Sequence, residues 1–262
     1  MPQFYLPGPW ETQKPKPLTP ELAHHLRVRR IQVGELFPIF DGKGQIAQAK
    51  LLSLTNKAGE AQLSNIRLDI HRESPYAITL AQGLAGGDKM DWIIEKAIEI
   101  GAQVIAPLQC ERSVIKLTRS SDAERAQKRL LHWEGIVQAA CEQCDRTVLA
   151  AVEPVQTFDS YLEKPQKAML KLLLSPDANK SLYSVLINTP PQDLILMIGP
   201  EGGHSPEEEI QAKTSGYQIV SLGDRVLRTE TAGIVAITTV HSIWGPEMQN
   251  RLKYRRFLLP YC

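Results

Sequence analysis

A chain of 262 residues, 43% hydrophobic and 23% charged, has the composition of a globular protein with one large or two ordinary domains. No apolar run approaches the ~20 residues of a membrane-spanning helix, and the first residues lack the pattern of a secretory signal. We therefore expect neither a membrane protein nor an exported one. Four cysteines are too few for a disulfide framework, which favours a reducing, cytoplasmic setting.

The net charge of +1 conceals an uneven distribution along the chain. Residues 1–72 carry ten Lys and Arg against six Asp and Glu, a net charge of +4, and the remainder carries a net charge of −3. A basic N-terminal part attracts phosphate backbones, although a moderate excess is also common on surfaces that only meet solvent. Charge alone leaves both interpretations open.

Short strands are predicted in the first part of the chain. Residues 35–55 alternate in places between apolar and polar side chains around the turn sequence Asp41–Gly44, which indicates a hairpin. Residues 61–70 alternate as a half-exposed strand does. One helix is predicted in residues 19–30, with Thr19 as its N-cap and a proline at its first position. These patterns indicate a small β-rich domain over residues 1–72.

From residue 73 onward, apolar strand patterns alternate with helical patterns. Strands are predicted near residues 77–84, 102–110, 168–176, 193–200 and 217–224, and helices near 88–101, 122–144, 205–216 and 230–245. This alternation favours a parallel sheet covered by helices, so we predict an α/β domain over residues 73–262. Its tail, residues 250–262, is basic and apolar and either docks on the core or stays mobile.

The stretch IGPEGGHSPEEEI, residues 198–210, joins a buried strand to a helix. Gly199 ends the strand, and Gly202 and Gly203 allow backbone angles that side chains disfavour. Ser205 is expected to cap the next helix, with a glutamate three residues later completing a capping box. Ligands of open α/β sheets lie at the carboxyl ends of strands, where this loop emerges. The loop therefore either contacts a ligand through its backbone or is a tight turn without one.

One acid in this loop constrains the kind of ligand. Glu201 would repel a triphosphate, and neither a Walker Lys-Ser/Thr nor a G-x-G-x-x-G fingerprint follows. A cationic or hydrogen-donating ligand suits the loop better.

A second loop follows the next predicted strand, within residues 220–237. Arg225 and Arg228 add positive charge there and are either site residues or partners in surface ion pairs. Thr229 or Thr231 is expected to cap the final helix. The small and apolar residues of that helix indicate deep burial or a subunit interface.

The chain carries four separated motifs that together resemble one family. In chain order they are EKAIEIGAQVIAPLQCERSV, AACEQCDR, LMIGPEGG-x-S-x-x-E and LGDRVLRTETA. Over nearly the whole chain, the sequence resembles the RsmE-type 16S ribosomal RNA uridine-N3 methyltransferases of the SPOUT superfamily. The resemblance implies a C-terminal SPOUT α/β trefoil-knot methyltransferase domain with a small N-terminal PUA-like β-barrel for RNA. It also implies S-adenosylmethionine as methyl donor, 16S rRNA of the small ribosomal subunit as substrate, and a homodimer.

Carried over by position, the resemblance implies that three segments form the pocket for S-adenosylmethionine. The residues expected to line it are Leu174, Ser175, Gly199, Pro200, Glu201, Gly202, Gly203, Leu222, Gly223, Val226, Leu227, Arg228 and Thr231. On this interpretation the glycines admit the adenosyl part of the cofactor. Glu201 then lies near its polar or cationic end.

Methyl transfer to uridine N3 sets the expected catalytic roles. A sulfonium-bound methyl group is already electrophilic, so neither a metal nor a covalent enzyme intermediate is required. N3 carries a weakly acidic proton and is hidden in a paired base, so the enzyme must expose the base, align N3 and stabilise the developing uridinate. Arg228 is the first candidate for stabilising that anion. Either Glu201 or Glu230 is expected to accept the proton.

Five arginines are candidate RNA contacts. Arg27, Arg29 and Arg30 follow two histidines in the predicted N-terminal helix and are expected on an RNA-facing surface. Arg112 follows a strand end, and Arg146 is placed to line the mouth through which substrate enters.

The pair Cys141 and Cys144 has the spacing of redox-active and zinc-binding motifs. No second cysteine pair at metal spacing accompanies it, and both thiols fall in one turn of a predicted helix. We expect reduced, structural cysteines and no metal site. The RsmE-type family more often has glycine at the position of Asp145, which leaves the geometry of the following turn open.

Two other classes of function remain open. A nonenzymatic RNA-binding ribosome-assembly factor with a degenerate pocket would share the resemblance, although the intact glycines and the RVLRTETA run argue against it. A doubly wound nucleotide hydrolase would share the α/β pattern, but the phosphate-binding motifs that it needs are missing. Binding of S-adenosylmethionine distinguishes a methyltransferase from the nonenzymatic RNA-binding factor. Magnesium-dependent nucleotide turnover identifies the nucleotide hydrolase.

Overall fold

The structure, a computed structural model, describes residues 3–56, 58–166 and 168–245. The basic and apolar tail noted in the sequence, residues 250–262, lies outside these ranges. Among the described residues, none of the helices combines the length and the apolarity that crossing a bilayer requires.

The chain separates into two compact units. The first comprises the described part of Met1–Glu73 together with Val137–Leu149, and the second comprises Ser74–Ile136 and the described part of Ala150–Cys262. The first unit is therefore made of two separate segments of the chain, whereas the sequence predicted a single boundary near residue 72.

The first unit is built on a five-stranded sheet, one whole helix, and the end of a second helix that begins in the other unit. Its elements are β1 (Phe4–Tyr5), β2 (Lys16–Pro17), α1 (Pro20–Val28), β3 (Leu36–Phe40), β4 (Gln45–Leu54) and β5 (Gly59–Leu68). The strand order is β1-β3-β4-β5-β2, with β1 parallel to β3 and the other neighbours antiparallel. Leu26 of α1 belongs to the same core cluster as Phe37 and Leu63 of the sheet.

Local hydrogen bonds explain the predicted hairpin and helix of this unit. The Asp41 carboxylate accepts from the backbone N–H groups of Lys43 and Gln45, at 2.7 and 2.9 Å, and so holds the turn between β3 and β4. Thr19 caps α1, because its hydroxyl accepts from the N–H of Leu22 at 3.2 Å. Both predictions are confirmed.

Three side-chain contacts tie the segment Val137–Leu149 to the rest of the first unit. The Gln3 amide donates to the Arg146 carbonyl at 2.6 Å, and the Thr147 hydroxyl donates to the Asp69 carbonyl at 2.6 Å. The buried guanidinium of Arg146 pairs with Glu73, with Nη2 and Oε2 2.7 Å apart. These contacts account for the discontinuity of the unit.

The second unit is a parallel sheet with helices. Its elements are β6 (Ile78–Gly83), α2 (Lys89–Glu99), β7 (Val104–Gln109), the first part of α3 (Ala123–Cys144), β8 (Ala151–Val152), β9 (Gln156–Thr157), α4 (Phe158–Glu163), β10 (Leu170–Leu174), α5 (Leu182–Ile187), β11 (Leu194–Ile198), α6 (Pro206–Thr214), β12 (Gln218–Val220) and α7 (Thr229–Trp244). The strand order is β12-β10-β11-β6-β7-β8, and β9 also pairs with β7. All of these pairs are parallel.

The central strands of the sheet are apolar and buried. Every residue of β11, the sequence LILMI, is buried, which is typical of a strand inside a parallel sheet. The predicted parallel α/β architecture is confirmed, as are the predicted long elements. The sequence patterns missed the two-residue strands β1, β2, β8 and β9, because two residues are too few to show an alternation. They also missed the six-residue helices α4 and α5, because six residues make fewer than two helical turns.

Candidate active site

A cavity of about 580 Å³ opens where the loops after three neighbouring strands meet. The strands β10, β11 and β12 are adjacent and parallel, so their carboxyl ends lie at one edge of the sheet. Lining residues predicted to bind a cofactor are Leu174, Ser175, Gly199, Pro200, Glu201, Gly202, Gly203, Leu222, Gly223, Val226, Leu227 and Arg228. Thr231 is not part of the lining, and its N–H donates to the Arg228 carbonyl in the first turn of α7.

The sequence patterns did not indicate several other lining residues. These include Lys89, Asp177, Ile198, His204, Glu209 and Ala232, whereas Arg225, for which a site role was left open, does line the cavity. Arg112 and Glu230, predicted in other roles, also line the cavity.

The loop after β11, residues 199–203, is pressed against the end of β6 and is called the glycine loop below. A Cβ atom added at Gly83 would lie 2.5 Å from the backbone nitrogen of Pro200, so no side chain fits at that position. Gly203 has a φ of +68°, in the region that favours glycine, and open space lies where its side chain would be. The absence of a side chain at Gly83 thus permits the close approach of Pro200, and the absence of one at Gly203 keeps the cavity open.

A buried glutamine joins three elements at the base of the cavity. The Gln82 side-chain amide donates to the Thr229 hydroxyl at 2.8 Å, and that hydroxyl donates to the Gly199 carbonyl at 2.6 Å. The end of β6, the glycine loop and the start of α7 are therefore connected by one chain of hydrogen bonds. Sequence reasoning missed Gln82, although a lone amide in the apolar strand ITLAQG was a usable signal.

Arg112 braces the glycine loop from outside. Its Nη1 donates to the carbonyls of Gly202 and His204, at 3.0 and 3.1 Å. A Cβ atom at Gly202 would lie 3.0 Å from the Cβ of Arg112, so the two segments are in close contact. Arg112, predicted to contact RNA, thus has a positioning function within the second unit.

Glu201 is held by two donors. Its Oε1 accepts from the Lys89 ammonium and from the N–H of Gly86, each at 2.9 Å. Partial burial raises the pKa of this carboxyl, but the hydrogen bonds from Lys89 and Gly86 outweigh burial, and the net pKa lies below the ordinary value. Glu201 is therefore a stable anion at the cavity rather than a free base.

Arg228 and Glu230 present polar groups at the cavity that are available to a ligand. Glu230 is partly buried, and its Oε2 has no hydrogen-bond partner among the described residues. Arg228 is exposed and lines the cavity. A buried acceptor without a partner costs free energy, so a ligand donor at this position would be favoured.

The start of α6 carries the predicted capping box. The Ser205 hydroxyl accepts from the Glu208 N–H, and the Glu208 carboxylate accepts from the Ser205 N–H at 2.9 Å. The predicted capping of α7 is wrong. Arg228 is its N-cap residue without a side-chain cap, because the Thr229 hydroxyl bonds Gly199 instead, and the Thr231 hydroxyl lies beyond the cap position.

The other arginines predicted to contact RNA lie in the first unit. Arg29 and Arg30 are exposed, whereas Arg27 is half-buried and donates to Asn56 at 3.0 Å. The expectation that Arg146 contacts RNA is wrong, since its side chain is 4% exposed and pairs with Glu73. A buried guanidinium with a carboxylate partner is unavailable to a phosphate.

Cys141 and Cys144 lie at the end of α3 and form no disulfide within the described residues. Cys141 is buried, and its thiol donates to the Val148 carbonyl at 3.8 Å. The helix ends at Asp145 in a left-handed conformation, with a φ of +60°. This conformation is the one that glycine adopts most easily after a helix, which settles the geometry of the turn.

The second unit therefore combines a parallel sheet with a ligand-sized cavity at the carboxyl ends of its strands. Residues 72–241 match the family described as the RNA methyltransferase domain, and residues 18–64 match the RNA methyltransferase PUA domain, so the chain is an RNA methyltransferase. The chain belongs to the family of the ribosomal RNA small subunit methyltransferase E.

Three relatives illustrate the similarity. Ribosomal RNA small subunit methyltransferase E of Synechocystis sp. is 34% identical over 86% of this chain and 72% of its own. The crystal structure of that enzyme from Neisseria gonorrhoeae, bound to S-adenosyl methionine, is 36% identical with a TM-score of 0.84, covering 93% of this chain and 98% of that one. A Legionella pneumophila methyltransferase in complex with the same cofactor is 33% identical with a TM-score of 0.85, covering 92% and 96%.

The fold class predicted from the sequence is confirmed by these comparisons. It is a C-terminal SPOUT α/β trefoil-knot methyltransferase domain with a small N-terminal PUA-like domain.

Proposed function

We propose that the chain transfers the methyl group of S-adenosylmethionine to N3 of a specific uridine in 16S rRNA of the small ribosomal subunit. One observation carries the proposal: a cavity lined by glycine-containing loops lies at the carboxyl ends of β10, β11 and β12 in a member of this family. Relatives with the same fold are crystallised with S-adenosylmethionine. Such a substrate would place the enzyme with ribosomes, in the cytoplasm.

The residues of the cavity fit this cofactor. A volume of about 580 Å³ lies within the usual range for small-molecule sites. Leu222, Val226 and Leu227 give an apolar wall for an adenine ring, and the open space at Gly203 lets a ligand reach the backbone. Glu201 supplies a fixed negative charge for a cationic donor.

The bound cofactor would supply a methyl group on a positively charged sulfur. Arg228 stabilises the negative charge that develops on the uracil ring as the N3 proton leaves, because its exposed guanidinium lines the cavity and is available to that charge. Glu230 accepts the N3 proton, since its Oε2 has no hydrogen-bond partner in the part of the chain that the structure describes. Glu201, the other candidate base, is less suitable because Lys89 and Gly86 already hold its oxygen.

Substitutions at the cavity separate these roles. Arg228→Ala should lower the rate of methyl transfer to 16S rRNA with little change in affinity for the cofactor, because it acts on charge developing in the transition state. Arg225→Ala is the matched control, an exposed arginine of the same loop that also lines the cavity. Methylation by Arg228→Ala at the wild-type rate would refute its role.

The two acids are distinguished by which kinetic parameter changes. Glu230→Gln should lower the rate of methyl transfer with little change in cofactor affinity, whereas Glu201→Gln should mainly weaken cofactor binding. Methyl transfer by Glu230→Gln at the wild-type rate would exclude Glu230 as the proton acceptor.

RNA binding is proposed for the first unit, which matches the PUA domain. Arg29 and Arg30 are exposed and adjacent, so they are available to phosphates. The double variant Arg29→Glu/Arg30→Glu should bind rRNA more weakly and with a smaller salt dependence. Equal affinities at every salt concentration would count against this surface.

A homodimer is proposed from the exposed apolar side chains of α2 and α7, which contact each other. Trp92 is 42% exposed, and Ile234 and Val235 of the apolar helix α7 are only partly buried. A second copy would cover these side chains. Light scattering of the purified chain should give twice the mass of 29.3 kDa, and a monomer at micromolar concentration would oppose the proposal.

The rRNA product tests the reaction itself. Mass mapping of 16S rRNA from a strain lacking the gene should show one uridine without its methyl group, and complementation should restore it. Complementation by the Arg228→Ala chain, expressed equally, should restore less. Full modification in the deletion strain would contradict the proposed substrate.

A further inference from the structure

A cluster of three different side chains lies behind the glycine loop. Cys110 follows β7, His204 follows the glycine loop, and Glu208 is in the first turn of α6. One ligand atom from each can be chosen so that all lie within 4.8 Å of one another, and all three residues are buried. Within the described residues, this is the one group of His, Cys, Asp and Glu side chains that is close enough to share a cation.

The imidazole of His204 is buried without adequate partners. Its side chain is 1% exposed, and neither Nδ1 nor Nε2 has a hydrogen-bond partner among the described residues. The Glu208 Oε2 is 3.6 Å from Nδ1, which is longer than a hydrogen bond and leaves Nε2 unused. Buried polar atoms without partners destabilise a protein, so the arrangement indicates a missing ligand.

The distance between His204 and Glu208 suits a small divalent cation, and Cys110 Sγ lies within 4.8 Å of both. Ligands about 2.0–2.2 Å from a tetrahedral zinc ion are roughly 3.4 Å apart, close to the spacing of 3.6 Å between His204 Nδ1 and Glu208 Oε2. His204 directly precedes the N-cap residue of α6 and Glu208 is in its first turn, and the two side chains meet there. Cys110 completes a sulfur, nitrogen and oxygen set, which zinc accepts and magnesium or calcium do not favour.

The charges of the group also balance. Burial raises the pKa of the Cys110 thiol, with the Glu208 charge adding to the effect, so without a cation the thiol is neutral. A bound dication displaces the thiol proton to solvent, and one thiolate with one carboxylate then neutralise it. The Lys116 ammonium opposes a cation but is held at the Cys110 and Glu111 carbonyls, at 3.2 and 3.0 Å.

The carboxylate retains capacity for a metal. Glu208 Oε1 accepts from the Glu111 N–H at 2.8 Å, and Oε2 accepts from the Ser205 N–H at 2.9 Å. Each carboxylate oxygen has a second lone pair, so the capping box and a metal bond can coexist.

We propose that Cys110, His204 and Glu208 bind a divalent cation with the ligand preference of zinc. This site is additional to the methyl transfer proposed above, and it departs from the sequence-based expectation of no metal, which stays untested. The three side chains leave one coordination position for water. Because His204 directly follows Gly203 and also lines the cavity, the cation would fix the glycine loop.

Cobalt(II) is the probe for this site, because a thiolate ligand gives it an intense charge-transfer absorption. The full-length chain is stripped with a chelator, and the other cysteines are removed as Cys141→Ser/Cys144→Ser/Cys262→Ser so that Cys110 is the remaining thiol. The triple-serine variant should bind one Co²⁺ per chain and show the thiolate absorption band. Zinc should displace the Co²⁺ and raise the melting temperature of the variant above that of the metal-free protein.

Two further variants in that background test the ligands. Cys110→Ser should lose the thiolate band, and His204→Gln should weaken Co²⁺ binding by more than about tenfold. Circular dichroism shows whether each variant is folded. If one variant does not fold, the other still tests the site independently. The proposal is overturned if saturating Co²⁺ gives no thiolate band in the triple-serine background, or if His204→Gln binds Co²⁺ as tightly as that background.

Discussion

The side chains around the cavity act mainly on the backbone of the glycine loop. Arg112 holds the carbonyls of Gly202 and His204, and the Gln82–Thr229 pair holds the carbonyl of Gly199. A hydrogen bond from a charged donor contributes about 1.5–3 kcal/mol when it is well formed. The loop is therefore preorganised before a ligand arrives, which lowers the cost of binding.

Removal of Arg112 tests this preorganisation. In Arg112→Ala, two loop carbonyls lose their donor, and the dissociation constant for S-adenosylmethionine should rise roughly tenfold, equivalent to about 1.4 kcal/mol. Titration calorimetry gives the constant. Arg119→Ala is the control, because Arg119 is exposed and outside the cavity lining. An unchanged constant in Arg112→Ala would show that the loop holds its shape without this brace.

The turn at Asp145 makes a stability prediction in the first unit. Asp145→Gly should raise the free energy of unfolding by about 0.5–1 kcal/mol, because glycine adopts a φ of +60° without the strain of a Cβ atom. The substitution also removes the ion pair with Arg72, which is about half exposed and so contributes little. Denaturant unfolding with Arg72→Ala as control measures the difference, and a less stable Asp145→Gly would contradict the conformational argument.

Site residues differed in how well the sequence indicated them. Glycines and charged residues next to strand ends, such as Gly203 and Glu201, could be named as candidates because ligands of parallel sheets bind there, and the family resemblance then implied contact with the cofactor. Lys89 gave no such signal, since the fold alone brings it beside Glu201. Gln82 stood out as a lone amide in an apolar strand, but the sequence did not show that Thr229 is its partner. Arg146 was misassigned because sequence does not show that Glu73 lies next to it in a buried position.

At the scale of elements, the loops rather than the strands determine the site. The strands β10, β11 and β12 only bring three loop starts together, and positive-φ glycines then give the loops their shape. A matched pair of glycines separates backbone strain from ligand contact. Gly203 and Gly216 both have positive φ and open space around the missing side chain, but Gly216 is not in the cavity lining.

Leucine at these two positions should have different effects. Gly203→Leu and Gly216→Leu should both lower stability through strain, but only Gly203→Leu should abolish measurable binding of S-adenosylmethionine. Calorimetry below each variant's melting temperature checks the difference. Equal affinities in the two variants would mean that the glycine loop does not contact the cofactor.

The capping box of α6 predicts a pH effect on stability. Burial raises the pKa of Glu208, but its neighbour His204 and the N–H groups of Glu111 and Ser205 lower that pKa by a larger amount. The net pKa of Glu208 therefore lies below the ordinary value of 4.5. Because the folded pKa is depressed, the ionised form stabilises the fold above pH 4.5, and this contribution is lost as pH falls through the folded pKa.

Glu208→Gln isolates that contribution in chelator-treated protein. The wild-type chain should be the more stable of the two at neutral pH, and the difference in melting temperature should shrink below pH 4.5. A difference that stays constant down to acid pH would show that the carboxylate charge is not the stabilising group.

Element types followed from the sequence, but some cap assignments did not. Thr19 and Ser205 were identified as caps because each precedes a proline and a helical pattern. The start of α7 was misjudged, since the Thr229 hydroxyl bonds a carbonyl that is thirty residues away in sequence. A local motif cannot indicate such a competing partner.

At the scale of the whole molecule, the two units are not consecutive segments. Residues 137–149 continue a helix that begins in the second unit, yet they belong to the first through contacts such as Arg146 with Glu73. Composition changes near residue 72 and pointed to a single boundary, because sequence patterns do not reveal a segment that returns. The parallel sheet was predictable, since its strands are apolar runs separated by helices.

The central claim is that the loops 199–203 and 222–228 enclose the methyl donor. Crystals of the full-length chain soaked with S-adenosylmethionine test it directly. We expect density for the cofactor in the cavity between these loops, with its adenosyl part against the backbone of the glycine loop. Density at a different place, or a cavity already filled by the protein's own side chains, would contradict the account.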